Sequence, residues 1–375
     1  MMKVLSVFGT RPEAIKMAPV VKALNQHPEQ ITSVVCVTAQ HRQMLDQVLS
    51  LFGIKPDYDL NLMRPNQTLA QLTATALTEL DVVLREEKPD WVLTQGDTTT
   101  AMVGALAGFY HQAAGVKVGH VEAGLRTWDR FQPFPEEINR KIADAVCDLH
   151  FAPTTASCDN LLREGVNDAS IVVTGNTVID ALLDVAGREY GWDSSELAAV
   201  PRDKRLILVT AHRRENFGPP LQGICAALKE IAANFNDVHL VYPVHLNPNV
   251  QQVVHTELRG VSNITLLEPL DYLPLVQLMK ASYLVLTDSG GLQEEAPGLG
   301  KPVLVLRDVT ERPEGLEAGT VKLVGTDKGR IVREAARLLE DNLEYERMAR
   351  AVNPYGDGHA SERIVECLLS FPGRS

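Results

Sequence analysis

The chain has 375 residues, 45% of them apolar, and a formal charge of −12. That length exceeds one ordinary core and predicts two domains of roughly 150 to 200 residues each. The acidic balance argues against duplex nucleic acid or an anionic membrane surface as partner, since both need a broad basic face.

The five cysteines, Cys36, Cys147, Cys158, Cys225 and Cys367, are widely spaced and form no Cys-x-x-Cys pair. They read as reduced thiols in or near cores, and no His/Cys/carboxylate grouping has a metal-ligand spacing. The first residues do not read as a signal peptide, and no run approaches the ~20 apolar residues of a membrane span. The expectation is a cytoplasmic protein.

Apolar runs rich in Val, Ile and Leu recur along the chain with helical patterns between them. They predict strands near 3–9, 31–39, 91–97, 117–122, 149–152 and 170–174, then near 205–211, 238–244, 264–268, 283–288, 302–307 and 320–324. Continuous apolar strands alternating with helices indicate parallel sheets covered on both faces. The reading is therefore α/β, with two Rossmann-like doubly wound domains facing across a cleft. The boundary is placed at 172, giving a first domain over 1–172 and a second over 173–357. The segment 187–204 is the least patterned stretch and reads as a linker or surface excursion. The final helical pattern, 358–375, is expected to pack back on the first domain.

Two apolar runs end on Gly and pass into helical patterns, at Phe8-Gly9-Thr10-Arg11-Pro12-Glu13 and at Asp288-Ser289-Gly290-Gly291. In both, backbone N–H groups of a helix N-terminus are expected to face a phosphate-sized anion. Glu13 reads as a helix cap. Arg11 offers a fork of donors to phosphate, with Lys16 one turn on. Asp97, in Gln95-Gly96-Asp97-Thr98, reads either as an N-cap or as a cleft carboxylate. Glu122 ends a short apolar strand, where a charge needs a purpose or a partner, and Arg126 is the candidate partner. Of Glu136 and Glu137 after Pro135, one complements the helix dipole. Asp97, Glu122 and Glu136 together supply three carboxylates from successive loops, as an acid/base set requires. His212 lies among cations at a strand end, suited to an anionic group. Glu294 and Glu295, beyond the second Gly turn, read either as ribose acceptors or as a solvated helix face. Neither a Gly-x-Gly-x-x-Gly fingerprint nor a P-loop is present, which weakens dinucleotide and NTPase readings.

The ordered set FGTRPEAIKMAP, TAQHRQMLDQVL, GDTTT, GHVEAGLRT, PEEINR, GNTVIDAL, TAHRREN, YPVHLNP, TDSGGLQEEAP and RDVTERPE resembles the bacterial non-hydrolysing UDP-N-acetylglucosamine 2-epimerases along essentially the whole chain. The resemblance implies a glycosyltransferase-B-like fold, a homodimer, and interconversion of UDP-GlcNAc and UDP-ManNAc without NAD or metal. It also implies elimination of UDP to a 2-acetamidoglucal, then re-addition with the proton delivered to the opposite face, supplying ManNAc units for cell-surface polysaccharide.

Carried over by motif, Asp97, Glu122, Glu136, His212 and Lys16 are the catalytic set. Arg11, Lys16 and His212 hold phosphate and sugar, Ser289, Gly290 and Gly291 the diphosphate, Glu295 the ribose, and Arg312 a further contact. Leu270 and Leu275 join the UDP-binding set; Leu275 stands where some members are aromatic. The resemblance further implies a regulatory second UDP-GlcNAc at Gln40, Gln43, Gln67 and His245, with Asn66 where some members carry Arg. Rival readings are epimerisation of a related UDP sugar, such as a 2,3-diacetamido uronate, or glycosyl transfer on the same fold.

Overall fold

Thirteen strands, all paired in parallel, make two separate sheets in a computed structural model that describes residues 1–38, 42–64 and 66–371, with the backbone alone for Arg42 and Gln43. The first sheet is built from β1 (Met2–Phe8), β2 (Ile31–Val37), β3 (Tyr58–Asp59), β4 (Trp91–Gln95), β5 (Lys117–Val121), β6 (Leu149–Ala152) and β7 (Ile171–Val173). Its order is β3-β2-β1-β4-β5-β6-β7. The second is built from β8 (Arg205–Thr210), β9 (Val238–Pro243), β10 (Ile264–Leu267), β11 (Ser282–Thr287), β12 (Val303–Val305) and β13 (Val321–Leu323). Its order is β10-β9-β8-β11-β12-β13. Helices follow almost every strand, so both strand faces are covered and the strands read as unbroken apolar runs. Strand order reverses between β1 and β4 in the first sheet and between β8 and β11 in the second, and ligands of such sheets bind at those reversals.

The predicted strands are all present, and β3 is an addition. At two residues it is too short to show a periodicity; Cys36 and Val37 of β2 select its register by pairing with Tyr58 and Asp59. The helix Leu69–Glu87 closes the face behind it, with Leu72, Ala76, Leu80, Val83 and Leu84 buried.

The chain divides into Met1–Ala181 with Tyr355–Ser375, and Leu182–Pro354. A boundary at 172 would cut β7, and the helix Thr177–Ala186 after it carries the transition instead. In the first unit, Asp180 of that helix caps the last one, Ala360–Ser370, accepting from Ala360 N (3.3 Å) and Ser361 N (2.7 Å). The last helix buries Ile364, Val365 and Leu368, and Phe371 meets Trp91 edge to face at 5.1 Å.

The segment 187–204 is not a free linker. Leu197 and Val200 are buried. Gln277 donates to the carbonyl of Arg188 (3.1 Å), and Ser195 Oγ donates to that of Trp192 (2.7 Å). Its irregular sequence reflects side chain–backbone pairing in place of regular structure.

Candidate active site

The turn after β1 departs from its expected role. Gly9 is required there, because a Cβ would lie 1.9 Å from Thr38 Oγ1. Glu13 closes a capping box with Thr10, and its Oε2 accepts from Gly9 N (2.9 Å) and Thr10 N (2.7 Å). Thr98 Oγ1 donates to Oε1 at 2.5 Å. The two amides expected to face a phosphate are thus occupied by a buried carboxylate of the same helix. Burial pushes the Glu13 carboxyl above its ordinary range, opposed by those bonds from Thr98, Gly9 and Thr10. Arg11 is half-buried and its guanidinium has no partner among the described residues, so it keeps its fork free for a ligand.

The ends of β1, β4 and β5 are level: Val7 pairs with Thr94, and Gln95 with Val121. Lys16, Asp97 and Glu122 come after these three neighbouring strands. Glu122 has φ +66°, a left-handed conformation that costs a non-glycine residue about 1–3 kcal/mol and marks functional turns. The backbone is held there because Glu122 N (3.0 Å) and Ala123 N (3.1 Å) both donate to Phe151 O. Lys16, not Arg126, is the cation paired with the Glu122 carboxylate. Arg126 lies deeper, 2.6 Å from both Asp144 and Glu164.

Asp97 is gripped by a residue that sequence patterning does not single out. Arg140 Nε (3.0 Å) and Nη2 (2.6 Å) donate to its Oδ2, and Asn139 Nδ2 to its backbone carbonyl (2.9 Å). Arg140 also donates to Glu137 at 3.1 Å. Glu137 in turn accepts from Thr127 N (3.0 Å) and Trp128 N (3.1 Å). Arg140 lies one turn after Glu136 and Glu137 on the helix Glu136–Val146, and that i, i+3 spacing is the signal that could have found it. Of the two glutamates, Glu137 is the buried structural one, while the half-buried Glu136 has no partner among the described residues.

Behind Asp97, His120 is fully buried. Its Nδ1 is 2.6 Å from Asp144 Oδ1 and its Nε2 is 2.7 Å from the Gly96 carbonyl. With an acceptor at each nitrogen both must donate, so the ring is an imidazolium. Burial alone would lower its pKa; the Asp144 charge and these hydrogen bonds raise it overall. Burial likewise opposes ionisation of Asp144, but His120 and Arg126 bring its carboxyl down to about 2.

In the second unit the ends of β8, β11 and β12 are level at Thr210, Thr287 and Val305. Ser289 occupies the N-cap position of the helix Gly290–Gly298 without a side-chain capping bond, and the first-turn amides have no intrahelical acceptor. A Cβ placed on Gly290 would lie 3.6 Å from Arg213 Nη2 and 3.9 Å from Arg312 Nη2. Two guanidinium groups therefore meet over a helix N-terminus, an arrangement suited to a diphosphate. Arg213 is legible in sequence as a cation of the His212 motif but not as part of this turn. Arg312 is anchored by an ion pair to the buried Glu294. Glu294 (3% exposed) and Glu295 (8% exposed) are buried, which rules out the solvated-face reading. Leu270 is buried and Leu275 half-buried at the helix Tyr272–Ala281.

His212 stacks on His245, ring centroids 5.1 Å apart and planes 12° from parallel. Burial, His245 and Arg213 hold the His212 pKa below its ordinary value, opposed by Asp288. His245 is exposed. Gln67 Oε1 accepts from Arg64 N at 3.3 Å. Gln40 lies outside the described residues, and Gln43 is described in its backbone alone. Among the described residues no group of three or more His, Cys, Asp or Glu could hold a metal ion, and no helix is long and apolar enough to cross a membrane.

Two level-ended doubly wound sheets, one carrying paired carboxylates and one a guanidinium-lined helix N-terminus, define an α/β protein of the glycosyltransferase-B-like class. Residues 22–369 match the family profile described as UDP-N-acetylglucosamine 2-epimerase. The UDP-N-acetylglucosamine 2-epimerase of Escherichia coli is 58% identical over 98% of this chain and 98% of its own length. That of Bacillus subtilis is 56% identical over 99% and 96%. The crystal structure of the Neisseria meningitidis UDP-GlcNAc 2-epimerase bound to UDP-GlcNAc has a TM-score of 0.87 and 51% identity, covering 98% of this chain and 100% of that one. The chain belongs to the UDP-N-acetylglucosamine 2-epimerase family and is an isomerase.

Proposed function

We propose that the chain interconverts UDP-GlcNAc and UDP-ManNAc by anti-facial proton chemistry at carbon 2. A base removes the carbon 2 proton while the bond from carbon 1 to the UDP oxygen breaks, giving 2-acetamidoglucal and UDP. UDP then re-adds at carbon 1, and a proton returns to carbon 2 from the other face. The observation that carries this reading is the placement of Asp97 and Glu122 on adjacent strand ends, each fixed by its own cation, Arg140 and Lys16. Two separately held carboxylates can keep different protonation states, as an acid and a base acting on opposite faces require. Glu136, without a partner among the described residues, is the third group available to move a proton. In the second unit Arg213, Arg312, His212 and the Ser289–Gly291 turn hold the diphosphate, which keeps UDP bound while the intermediate exists, and in the first unit Arg11 offers its guanidinium to phosphate. Glu295 takes the ribose, and Leu270 and Leu275 lie beside the base.

The enzyme works in the cytoplasm, its product feeds cell-surface polysaccharide, and the active form is a homodimer, measurable by light scattering. A second UDP-GlcNAc at Gln40, Gln43, Gln67 and His245 activates the enzyme. Proton NMR of UDP-GlcNAc incubated with the protein in deuterated water tests the reaction: deuterium should appear at carbon 2 of both sugars without added cofactor. Epimerisation with full retention of the original hydrogen would overturn the elimination route.

A further inference from the structure

The carboxylate of Asp288, just past β11, is wholly buried, and its two oxygens are used differently. Oδ2 accepts from His212 N (2.8 Å), Arg213 N (2.8 Å) and Asn216 Nδ2 (3.0 Å). Oδ1 has no hydrogen-bond partner among the described residues and lies 3.6 Å from His212 Nδ1. A buried carboxylate oxygen without a donor is costly, and the one ring nitrogen near it is the donor that would relieve the cost. At 3.6 Å the bond is not yet made, and such bonds tighten when a substrate complex forms.

We propose that Asp288 is a positioning residue that holds the His212 imidazole with its Nδ1–H turned to Oδ1, leaving Nε2 as the nitrogen that meets the diphosphate. This rests on the assignment of His212 to the diphosphate. Nε2 has no partner among the described residues, and the side chain is 36% exposed. Among the described residues the other charged or titratable groups facing the ring are His245 and Arg213, and both disfavour a proton there; Asp288 is the one of the three that favours it. With one proton, on Nδ1, the ring shows a lone pair at Nε2 and repels a phosphate oxygen. A second proton turns Nε2 into a charged donor, held between Asp288 on one edge and the diphosphate on the other. The ring therefore takes up its second proton as UDP binds, and gives UDP a charge-assisted bond that a neutral donor cannot match.

Nitrogen-15 NMR of histidine-labelled protein at pH 8 should show His212 as the Nδ1–H tautomer. In Asp288→Asn the amide oxygen can keep the three contacts of Oδ2, so the turn is retained, while the amide N–H forces Nδ1 to accept and the ring to the Nε2–H tautomer. That variant should lose about 10- to 100-fold in UDP affinity and in kcat/KM, and the proton uptake on UDP binding, read as the pH dependence of UDP affinity, should vanish. Asn216→Ala removes a contact to Oδ2 and leaves Oδ1, so it should keep the Nδ1–H tautomer. An Nε2–H ring in the unaltered protein, the same tautomer with and without Asp288→Asn, or a flip in Asn216→Ala would each overturn the role of Asp288. Unaltered turnover and UDP affinity in His212→Asn would instead overturn the assignment of His212, whatever the tautomer.

Discussion

At the scale of single residues, the first unit keeps two kinds of acid apart. Asp97, Glu122 and Glu136 are partly exposed at strand ends or a helix start, whereas Glu13, Glu137 and Asp144 are buried and commit their oxygens to backbone amides or fixed cations. Asp97→Asn, Glu122→Gln and Glu136→Gln should each lower kcat by about 10² to 10⁴, with UDP affinity by calorimetry little changed. Arg11→Ala, Arg213→Ala and Ser289→Ala should do the reverse, weakening UDP itself, because contacts to the diphosphate act before the transition state as well as in it. The buried pair His120–Asp144 gives a pH prediction. Asp144 sits at about 2, below its unfolded value of about 3.8, so its stabilisation is present above pH 4 and lost as pH falls toward 2. His120 is raised, so its share is present below its unfolded value of about 6.5 and lost as pH climbs through the folded one. Urea midpoints should therefore form a plateau between those limits. Asp144→Asn should lower the plateau by about 3–5 kcal/mol, the cost of stranding a buried charge, and flatten the acid limb.

At the scale of elements, the strands are legible in the sequence because buried parallel strands are continuous apolar runs, and β3 is not because two residues carry no pattern. The same limit applies to turns. The Gly9 and Gly290 turns have the same local signature, yet Glu13 fills the first with its own carboxylate while Arg213 and Arg312 line the second; which case holds depends on side chains that local sequence does not bring together. Glu122 is legible as a strand-end charge, but its partner is not the nearby Arg126, since Lys16 reaches it from the helix after β1 and Arg126 is drawn inward by Asp144 and Glu164. The Glu122 conformation also leans on its neighbour two residues along. Gly124 has φ +86° and a Cβ there would lie 2.2 Å from Ser157 O, so Gly124→Ala should cost about 2–4 kcal/mol. The loss should be visible as a lower thermal midpoint, and turnover should fall with it as Glu122 shifts.

At the scale of the whole molecule, the first unit is completed by a segment that comes after the second in sequence. Deleting Tyr355–Ser375 strips Ile364, Val365 and Leu368 from its surface. At about 1.5–3 kcal/mol for each buried side chain, that amounts to about 5–9 kcal/mol, comparable with the entire stability of an ordinary domain. The truncated chain should therefore show early loss of the first unit by hydrogen exchange while Leu182–Pro354 stays protected. During synthesis the ribosome imposes this same truncation on every copy. Translation at about 5–20 residues per second leaves the first unit without its last helix for about 10–40 s after its main body has emerged. Leu182–Pro354, by contrast, is contiguous and can close as soon as it is made. The nascent chain thus finishes its second unit before its first, and for that interval Trp91 lacks the edge-to-face cover of Phe371.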